Sequence, residues 1–452
     1  MSRDLSSIVK AYDVRGVVPD QLDADIARAL GAAFARFTGA DRIVLARDMR
    51  ESGGALSQAF AEGATGQGVD VVDAGLGSTD YLYYAAGTLD VPGAMFTASH
   101  NPAKYNGIKL CLSGARPVGQ ESGLREVRAE AERFLDDGLP TSDRPAGTGT
   151  QQDLLADYAA YLKALVPGLD GIRPLKVVVD AGNGMGGHTV PVVFEGLPLD
   201  TTALYFELDG SFPNHEANPI EPANTADLRA KVREVGADLG LAFDGDADRC
   251  FVVDEKGDVV SPSTLTALIA ERELAKEPGS TIIHNLITSR SVPEVVREHG
   301  GTPVRTRVGH SFIKAEMART GAVFGGEHSG HFYFRDFWNA DSGMLAALHT
   351  LAALGTQDGP LSALLTRYSR YAASGEINST VQDQTAKVEQ IRQRYAGAGL
   401  DELDGLTVDL GDGAWFNVRA SNTEPLLRLN VEAKDAETLQ RVRDEVLALI
   451  RS

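Results

Sequence analysis

The sequence predicts a multidomain α/β protein, with three consecutive α/β domains of related topology and a C-terminal α+β domain. Three observations predict it. The chain has 452 residues, more than one hydrophobic core usually supports. Its first three-quarters repeat an apolar run, a small-residue turn, a helical segment and a second apolar run. Its last quarter alternates polar and apolar residues, as antiparallel strands do.

Three stretches carry the repeated strand–helix–strand pattern. They are RIVLA to VDVVDAG at 42–75, KVVVDAGNGMGG to ALYFEL at 176–208, and TIIHNL to TPVRTRVG at 281–309. Crossovers of this kind join parallel strands, so each repeat predicts part of a parallel sheet. Before the first repeat, apolar side chains share one helical face, which predicts a helix covering that sheet. They belong to Leu22, Ile26, Leu30, Ala33 and Phe37.

Three candidate linkers suggest where the domains end. They are a Gly-, Pro- and Thr-rich segment near 139–152, the chain just after Asp254, and the region around Tyr368 to Gly375. We therefore expect domains at 1–147, 148–254, 255–368 and 369–452. The last domain contains the alternating segment and a terminal helix that ends at Ile450.

The composition disfavours several classes of protein. Sixty-three acidic and 43 basic residues give a net charge of -20, which repels nucleic acid and anionic membranes. The two cysteines, Cys111 and Cys250, form neither a disulfide framework nor a metal-ligand spacing. We find no signal-peptide or membrane-spanning pattern. We expect a cytoplasmic monomer or homodimer with small-molecule ligands and no nucleic-acid or membrane partner.

The loop FTASHNPAKYNGIKL at 96–110 places a hydroxyl group among cations. Ser99 and His100 follow an apolar run, and Lys109 lies further along. Positive side chains can neutralise the charge of a phosphate carried on serine. A helix N-cap is the alternative, because serine before polar residues often begins a helix.

The loop DLGLAFDGDADRCFVVDEKG at 238–257 places three carboxylates at alternate positions after an apolar run. They belong to Asp244, Asp246 and Asp248. Their mutual repulsion calls for a hard cation such as Mg²⁺ or Ca²⁺. An EF-hand has a similar spacing, but Arg249 stands where that loop needs glycine, and the flanks are typical of strands. A solvated acidic turn is the remaining alternative.

The loop VFGGEHSGHFYF at 323–334 offers a carboxylate, a hydroxyl and imidazoles between apolar runs. Glu327 and Ser329 can bind sugar hydroxyls, and His331 can move a proton near neutral pH. The spacing from Glu327 to His331 also resembles part of a zinc motif, but the glycines argue against the helix that such a motif requires.

The loop NVRASNTEPLLRLN at 417–430 is suited to binding an anion. Hydroxyl, amide and guanidinium groups bind phosphate oxygens. Its candidates are Arg419, Ser421, Asn422, Thr423 and Arg428. A capped turn between strands is the alternative.

Three glycines after the strand KVVVD form the pattern G-x-G-x-x-G, which is typical of dinucleotide-binding folds. They are Gly182, Gly184 and Gly187. The alternative is that glycine here only lets a helix approach its sheet.

Five segments together closely resemble the α-D-phosphohexomutase superfamily, over nearly the whole chain and in the same order. They are KAYDVRG at 10–16, TASHNP at 97–102, DGDADR at 244–249, GEHSGH at 326–331 and RASNTEP at 419–425. The resemblance implies four domains around a central cleft. GEHSGH and RASNTEP resemble the phosphomannomutase/phosphoglucomutase branch.

The resemblance also implies roles for individual residues. It makes Ser99 the phosphorylated serine and a Mg²⁺ ligand beside Asp244, Asp246 and Asp248. It places Arg15 among the catalytic residues, with Lys109, His310 and His331 as acid or base candidates among which the sequence does not choose. Substrate contacts are implied for the rest: His100, Arg249, Glu327, Ser329, Arg419, Ser421, Asn422, Thr423 and Arg428.

The implied reaction moves phosphate between C6 and C1 of mannose phosphate, and of glucose phosphate as well, through phosphoserine and a hexose 1,6-bisphosphate that also serves as activator. The alternatives are a phosphoglucosamine mutase, a metal-dependent sugar phosphatase and a non-catalytic sugar-phosphate sensor. The sequence departs from some relatives in one respect, since no lysine lies between Thr281 and Ile313. Arg290, Arg305 or Arg307 are the expected substitutes.

Overall fold

The computed structural model describes residues 4–421 and 426–452, apart from the side chain of His310. The chain divides into two compact units. The first contains the residues up to Val260 together with Ser329–Ser362, and the second contains Ser261–His328 and the residues from Ala363 onward.

The first unit begins with a mixed sheet in the order β1-β5-β4-β2-β3-β7, with β6 paired to β5. Its strands are β1 (Val14–Val17), β2 (Arg42–Arg47), β3 (Asp70–Leu76), β4 (Gly93–Phe96), β5 (Tyr105–Leu112), β6 (Arg116–Pro117) and β7 (Gly149–Gln151). Its helices are α1 (Ala24–Thr38), α2 (Gly53–Gly66), α3 (Thr79–Leu89) and α4 (Leu124–Asp137). Strand β2 runs parallel to β3 and β4, whereas β5 runs antiparallel to β4.

The helix predicted before the first repeat is confirmed as α1. The side chain of Asp23 accepts the backbone N–H of Ile26 and caps the helix, as a short acidic side chain does at this position. Leu22 precedes the helix, while Ile26, Leu30 and Ala33 are buried in the core beside the sheet.

A second sheet of the first unit has the order β12-β11-β10-β8-β9. Its strands are β8 (Leu175–Asp180), β9 (Leu199–Leu204), β10 (Leu239–Phe243), β11 (Cys250–Asp254) and β12 (Val259–Val260). Its helices are α5 (Leu155–Leu165), α6 (Gly186–Phe194) and α7 (Ala226–Val235). Strand β8 is parallel to β9 and β10, but β10 and β11 are antiparallel, so the aspartate loop joins two adjacent strands.

The third repeat lies in the second unit, where β13 is the middle strand between parallel neighbours β14 and β15. The elements are α8 (Pro262–Lys276), β13 (Thr281–Asn285), α9 (Ser291–Glu298), β14 (Thr302–Thr306), α10 (His310–Thr320) and β15 (Phe324–Gly326). The chain then enters the first unit again with the antiparallel pair β16 (Phe332–Phe334) and β17 (Ala340–Asp341), followed by α11 (Gly343–Gly355).

The C-terminal part of the second unit is an antiparallel sheet in the order β18-β22-β21-β20-β19. After α12 (Leu361–Leu365) come β18 (Ala372–Thr380), α13 (Gln384–Arg394), β19 (Gly399–Asp401), β20 (Leu406–Gly411), β21 (Ala414–Ala420), β22 (Leu426–Ala433) and α14 (Ala436–Arg451). Val442, Val446 and Ile450 of α14 are buried in one core with sheet residues such as Leu406 and Phe416. Short 3₁₀ helices occur at Gln120–Ser122, Leu169–Gly171, Pro222–Thr225 and Arg335–Phe337.

The structure confirms the predicted fold class, because all three repeats are βαβ units and the last quarter is α+β. The predicted domain boundaries stay predictions. Strand β7 lies just beyond the predicted end of the first domain and still pairs with β3. Across the described residues, every helix is too short or too polar to cross a membrane.

Candidate active site

Ser99 lies in the connection from β4 to β5, with its backbone in the left-handed region at φ 50°. Its N–H donates to Thr97 Oγ1 at 2.9 Å, and the residue begins a turn between strands rather than a helix. The N-cap alternative is therefore wrong. Its Oγ lies 3.0 Å from Asp244 Oδ2 and 3.1 Å from His100 Nδ1. Only 6% of the residue is exposed.

The aspartate loop connects β10 to β11 in an antiparallel pair, which excludes an EF-hand. Asp244, Asp246 and Asp248 are all buried, and each offers one ligand oxygen within 4.8 Å of the others. Gly245 lies against the Ser99 loop, because a Cβ on it would be 2.5 Å from Ser99 O. The two loops are therefore in direct contact.

The three carboxylates have different partners. Asp244 Oδ2 accepts Arg249 Nε at 2.9 Å in addition to Ser99 Oγ. Asp246 Oδ2 accepts Thr79 Oγ1 at 2.6 Å and Lys109 Nζ at 2.8 Å. Asp248 Oδ2 accepts the same ammonium at 2.7 Å.

The remaining oxygens fit a divalent cation. Oδ1 of Asp246 and Oδ1 of Asp248 are buried without a hydrogen-bond partner among the residues that the structure describes. Unpaired buried oxygens are costly. Burial raises the pKa of Asp244, whereas Lys109 outweighs burial and lowers that of Asp246. A cation bound by these hard oxygen ligands would compensate the charge.

His100 and Arg249 connect the two loops. Arg249 Nη2 donates to His100 Nδ1 at 2.6 Å, and since a guanidinium only donates, this nitrogen is unprotonated. Burial, together with the positive charge of Arg249, lowers the pKa of His100 to about 2. His100 is therefore a neutral imidazole, and the Ser99 hydroxyl donates to Asp244.

The catalytic candidates fall at different places. Lys109 is fixed on two carboxylates, and although burial opposes it, Asp246 and Asp248 raise the pKa of Lys109 well above its usual value. His331 Nε2 lies 3.7 Å from Asp248 Oδ1, and its Nδ1 lies 3.0 Å from Ser329 Oγ. Arg15 contacts the Ser99 loop, where it donates to Asn101 Oδ1 at 3.0 Å. His310 is the first residue of α10, and its side chain lies outside the described residues.

Glu327 follows β15 in the second unit and is only 3% exposed. Its Oε1 accepts Asn285 Nδ2 at 3.2 Å and the Gly309 N–H at 3.1 Å. The carboxylate is thus fixed beside the start of α10. Its connection to β16 is not helical, so the zinc-motif alternative is wrong.

Three of the anion-binding candidates, Arg419, Ser421 and Arg428, lie at one end of the C-terminal sheet. Arg419 of β21 pairs across the sheet with Arg428 of β22. Glu376 lies 3.5 Å from Arg419 and 3.3 Å from Arg428, and Asp404 also lies 3.5 Å from Arg419. Two guanidinium groups are thereby held side by side. Ser421 donates its N–H to Leu426 O at 3.0 Å, whereas Asn422 and Thr423 lie outside the described residues.

The arginines expected to replace the missing lysine have other partners. Arg290 is paired with Asp409 at 2.7 Å, and Arg305 is paired with Asp401. The Arg307 guanidinium lies 4.8 Å from the centre of the Phe312 ring. Arg290 and Arg305 line the same cavity of about 400 Å³. These two arginines therefore remain the candidates to replace the lysine at one location.

The glycine motif serves close packing. A Cβ on Gly184 would be 2.7 Å from Gly245 O, and one on Gly187 would be 2.2 Å from Phe206 O. The main chain at position 184 comes so close to the aspartate loop that only glycine fits there, which agrees with the packing alternative.

Four domain families described for phosphoglucomutase/phosphomannomutase match the chain in succession. They are α/β/α domain I at residues 6–134, domain II at 156–257, domain III at 261–371 and the C-terminal domain at 376–449. The chain belongs to the phosphoglucomutase/phosphomannomutase family. It is therefore a phosphohexomutase, within the superfamily that the sequence resembled.

Relatives of this phosphohexomutase match nearly its whole length. A protein named phosphohexose mutases from Xanthomonas campestris pv. campestris is 41% identical over 452 residues, and a phosphomannomutase from Salmonella montevideo is 40% identical over 454. Each alignment covers 98% of both chains. A solved phosphoglucomutase/phosphomannomutase family protein from Burkholderia thailandensis has a TM-score of 0.88 at 34% identity, over 100% of this chain and 98% of that one. The family is metal-dependent, which agrees with the aspartate loop.

Sequence reasoning missed three residues at this site. Thr79 donates to Asp246, Asp341 forms a second close group with Asp248 and His331, and Arg50 is buried beneath the Ser99 loop. Of these three residues, only Arg50 could have been found from the sequence. It follows a parallel strand at its carboxyl end, where ligand-binding residues of α/β sheets collect.

Proposed function

We propose that this phosphohexomutase moves a phosphoryl group reversibly between C6 and C1 of a hexose phosphate, through phospho-Ser99 and a hexose 1,6-bisphosphate. Mannose 6-phosphate and mannose 1-phosphate are the proposed principal pair, with the glucose phosphates as further substrates. Relatives named phosphomannomutase, 40% and 39% identical over 98% and 97% of this chain, support the choice of mannose. The proposed location is the cytoplasm, in keeping with two buried cysteines that are not joined in a disulfide.

One observation carries the proposal. The Ser99 hydroxyl is hydrogen-bonded to a carboxylate of the aspartate loop. The other two carboxylates of that loop each have a buried oxygen that accepts no hydrogen bond from the described residues. A simple turn would not require a hydroxyl, three buried carboxylates and a cation site together. Phosphoryl transfer does, since it depends on positioning and on neutralising the phosphate oxygens.

The proposed first step transfers the group from Ser99 to the free hydroxyl of the substrate. The hydroxyl oxygen attacks phosphorus, the bond from phosphorus to Ser99 Oγ breaks, and the hydroxyl proton passes to a base. Lys109 is held protonated by two carboxylates, so it contributes positive charge rather than accepting that proton. His331 and His310 remain the candidate bases.

Asp244, Asp246 and Asp248, together with the group on Ser99, would hold Mg²⁺. The ion would neutralise charge on the phosphoryl oxygens. Arg249 orients Asp244 and keeps His100 neutral through its two contacts.

The other end of the substrate requires contacts of a different kind. We propose that Glu327 and Ser329 bind sugar hydroxyls, and that Arg419, Arg428 and the 421–423 segment bind the phosphate that is not transferred. The paired guanidinium groups fit a dianionic phosphate. The bisphosphate then returns its other phosphoryl group to Ser99, which restores the enzyme.

The test compares wild type, Ser99→Ala and the control Ser57→Ala, whose hydroxyl donates to Gly54 O within α2. Each is given mannose 6-phosphate or glucose 6-phosphate with Mg²⁺ and a trace of the bisphosphate, and sugar 1-phosphate and free phosphate are measured. The proposal predicts isomer formation in wild type and Ser57→Ala, and almost none in Ser99→Ala. Full activity of Ser99→Ala would contradict it, and so would free phosphate as the main product, which indicates a phosphatase.

A further inference from the structure

Arg50 lies in the connection from β2 to α2 and is only 3% exposed. A buried guanidinium needs an acceptor for each of its N–H groups. Its Nε donates to Asp48 Oδ2 at 3.2 Å. The terminal nitrogens supply the other four donors, and among the described residues none of these donors reaches a second side chain.

Those four donors all reach main-chain carbonyl oxygens of the Ser99 loop. Nη2 donates to Ser99 O at 2.8 Å and to Asn101 O at 2.6 Å. Nη1 donates to Pro102 O at 3.0 Å and to Tyr105 O at 2.8 Å. One side chain thus replaces the main-chain partners that a loop lacks.

The loop needs such a support because Ser99 adopts a left-handed backbone conformation. That conformation is unfavourable for a residue with a Cβ and persists only where the surroundings impose it. The bond from Arg50 to Ser99 O is made at this strained residue, whose Oγ must face Asp244. A shift of the carbonyl would move the hydroxyl as well.

Arg50 also contacts the connection that follows β9, at residues 205–221. A Cβ on Gly210 would be 2.9 Å from Arg50 Cα, and the guanidinium lies 5.3 Å from the centre of the Phe212 ring. Farther along this segment, Ala217 lies 3.6 Å from where a Cβ on Gly245 would be. Arg50 therefore joins the Ser99 loop to the segment that packs on the aspartate loop.

We infer that Arg50 is a positioning residue for phosphoryl transfer, which fixes the Ser99 loop through four main-chain carbonyls and holds it against the aspartate loop. The inference rests on the proposed role of Ser99. Lysine cannot replace Arg50, because an ammonium has three donors around one nitrogen, whereas the guanidinium fork reaches carbonyls on two sides.

The test measures kcat, KM and thermal unfolding for Arg50→Lys and for the control Arg47→Lys. Arg47 ends β2 and lies 3.7 Å from Asp73 near the surface. We expect Arg50→Lys to lower kcat by about 100-fold with KM for mannose 6-phosphate changed less than about threefold, since small misplacements of reacting groups have effects of this size. Arg47→Lys should keep both constants.

A second variant decides the matter if Arg50→Lys does not fold. Asp48→Asn keeps one acceptor for Arg50 but removes the charge, and it should lower kcat by roughly tenfold without raising KM. A folded Arg50→Lys or Asp48→Asn enzyme with wild-type kcat overturns the inference, as does a variant that loses only thermal stability. If Ser99→Ala is itself active, the proposed function fails instead.

Discussion

The main chain of Gly245 lies directly against the carbonyl oxygen of Ser99, since a Cβ on the glycine would be 2.5 Å from that oxygen. Ser99 is the proposed phosphoryl carrier, and Gly245 stands between two candidate metal ligands. The contact therefore fixes the distance between the serine and the carboxylates. Three residues beside it, Thr79, Lys109 and Arg249, make hydrogen bonds to the same carboxylates.

Gly245→Ala should lower kcat by roughly 100-fold, because the added methyl group must push the Ser99 loop away from the carboxylates. The matched control is Gly54→Ala in α2, where a Cβ would meet no atom of the described residues within 4 Å. That control should keep full activity, and its melting temperature should be slightly higher than that of wild type. Steady-state kinetics check both, and a fully active Gly245→Ala enzyme would show that the contact is dispensable.

Thr79→Val should raise the Mg²⁺ concentration needed for half-maximal activity by about 10- to 100-fold, since residues that orient metal ligands typically contribute this much. Thr79 Oγ1 donates to Asp246 Oδ2, whereas Thr88 at the other end of α3 is exposed and serves as the control. The measurement is a Mg²⁺ titration of enzyme first treated with a chelator. An unchanged titration midpoint in Thr79→Val, or full activity of the chelated wild type, would count against the metal site.

His215 should stabilise the fold more at acid than at alkaline pH. Its Nε2 lies 3.0 Å from Asp180 Oδ2. Burial alone would lower the pKa of His215, but Asp180 raises it above its ordinary value. A group whose folded pKa is raised contributes its full stability below the unfolded pKa of about 6.5, and loses that contribution as the pH rises through the folded pKa.

The measurement compares the free energies of unfolding of wild type and His215→Gln. The difference should be larger at about pH 5.5 than at about pH 9. Asp180→Asn should show the same dependence, since it removes the other half of the pair. Equal differences at both pH values would mean that the ion pair does not contribute.

Much of this fold and part of the site could be predicted from the sequence. Apolar runs and turns located the three βαβ repeats, and loops after strands located Ser99 and Asp244, which the structure joins at 3.0 Å. Such loops are recognisable because polar residues at the end of a buried strand need partners. The residues that contact each of these loops could not be predicted from the sequence.

Thr79 shows why. It is 167 residues from Asp246, and nothing in its neighbourhood marks it as more than the start of a helix. Arg50 required the strand order, since β2 must lie beside β4 for its loop to reach the Ser99 loop. Lys109 was recognised as a site residue, but its bonds to two aspartates depend on how the two sheets of the first unit pack.

The most direct test of the central claim is to follow the phosphoryl group on Ser99 itself. The enzyme is charged with glucose 1,6-bisphosphate, freed of excess reagent and mixed rapidly with mannose 6-phosphate, and peptide mass spectrometry measures phospho-Ser99 over time. We expect one phosphoryl group per chain, on Ser99, discharged to the sugar at least as fast as kcat. Charging at another residue, or a phospho-Ser99 that discharges more slowly than turnover, would contradict the account.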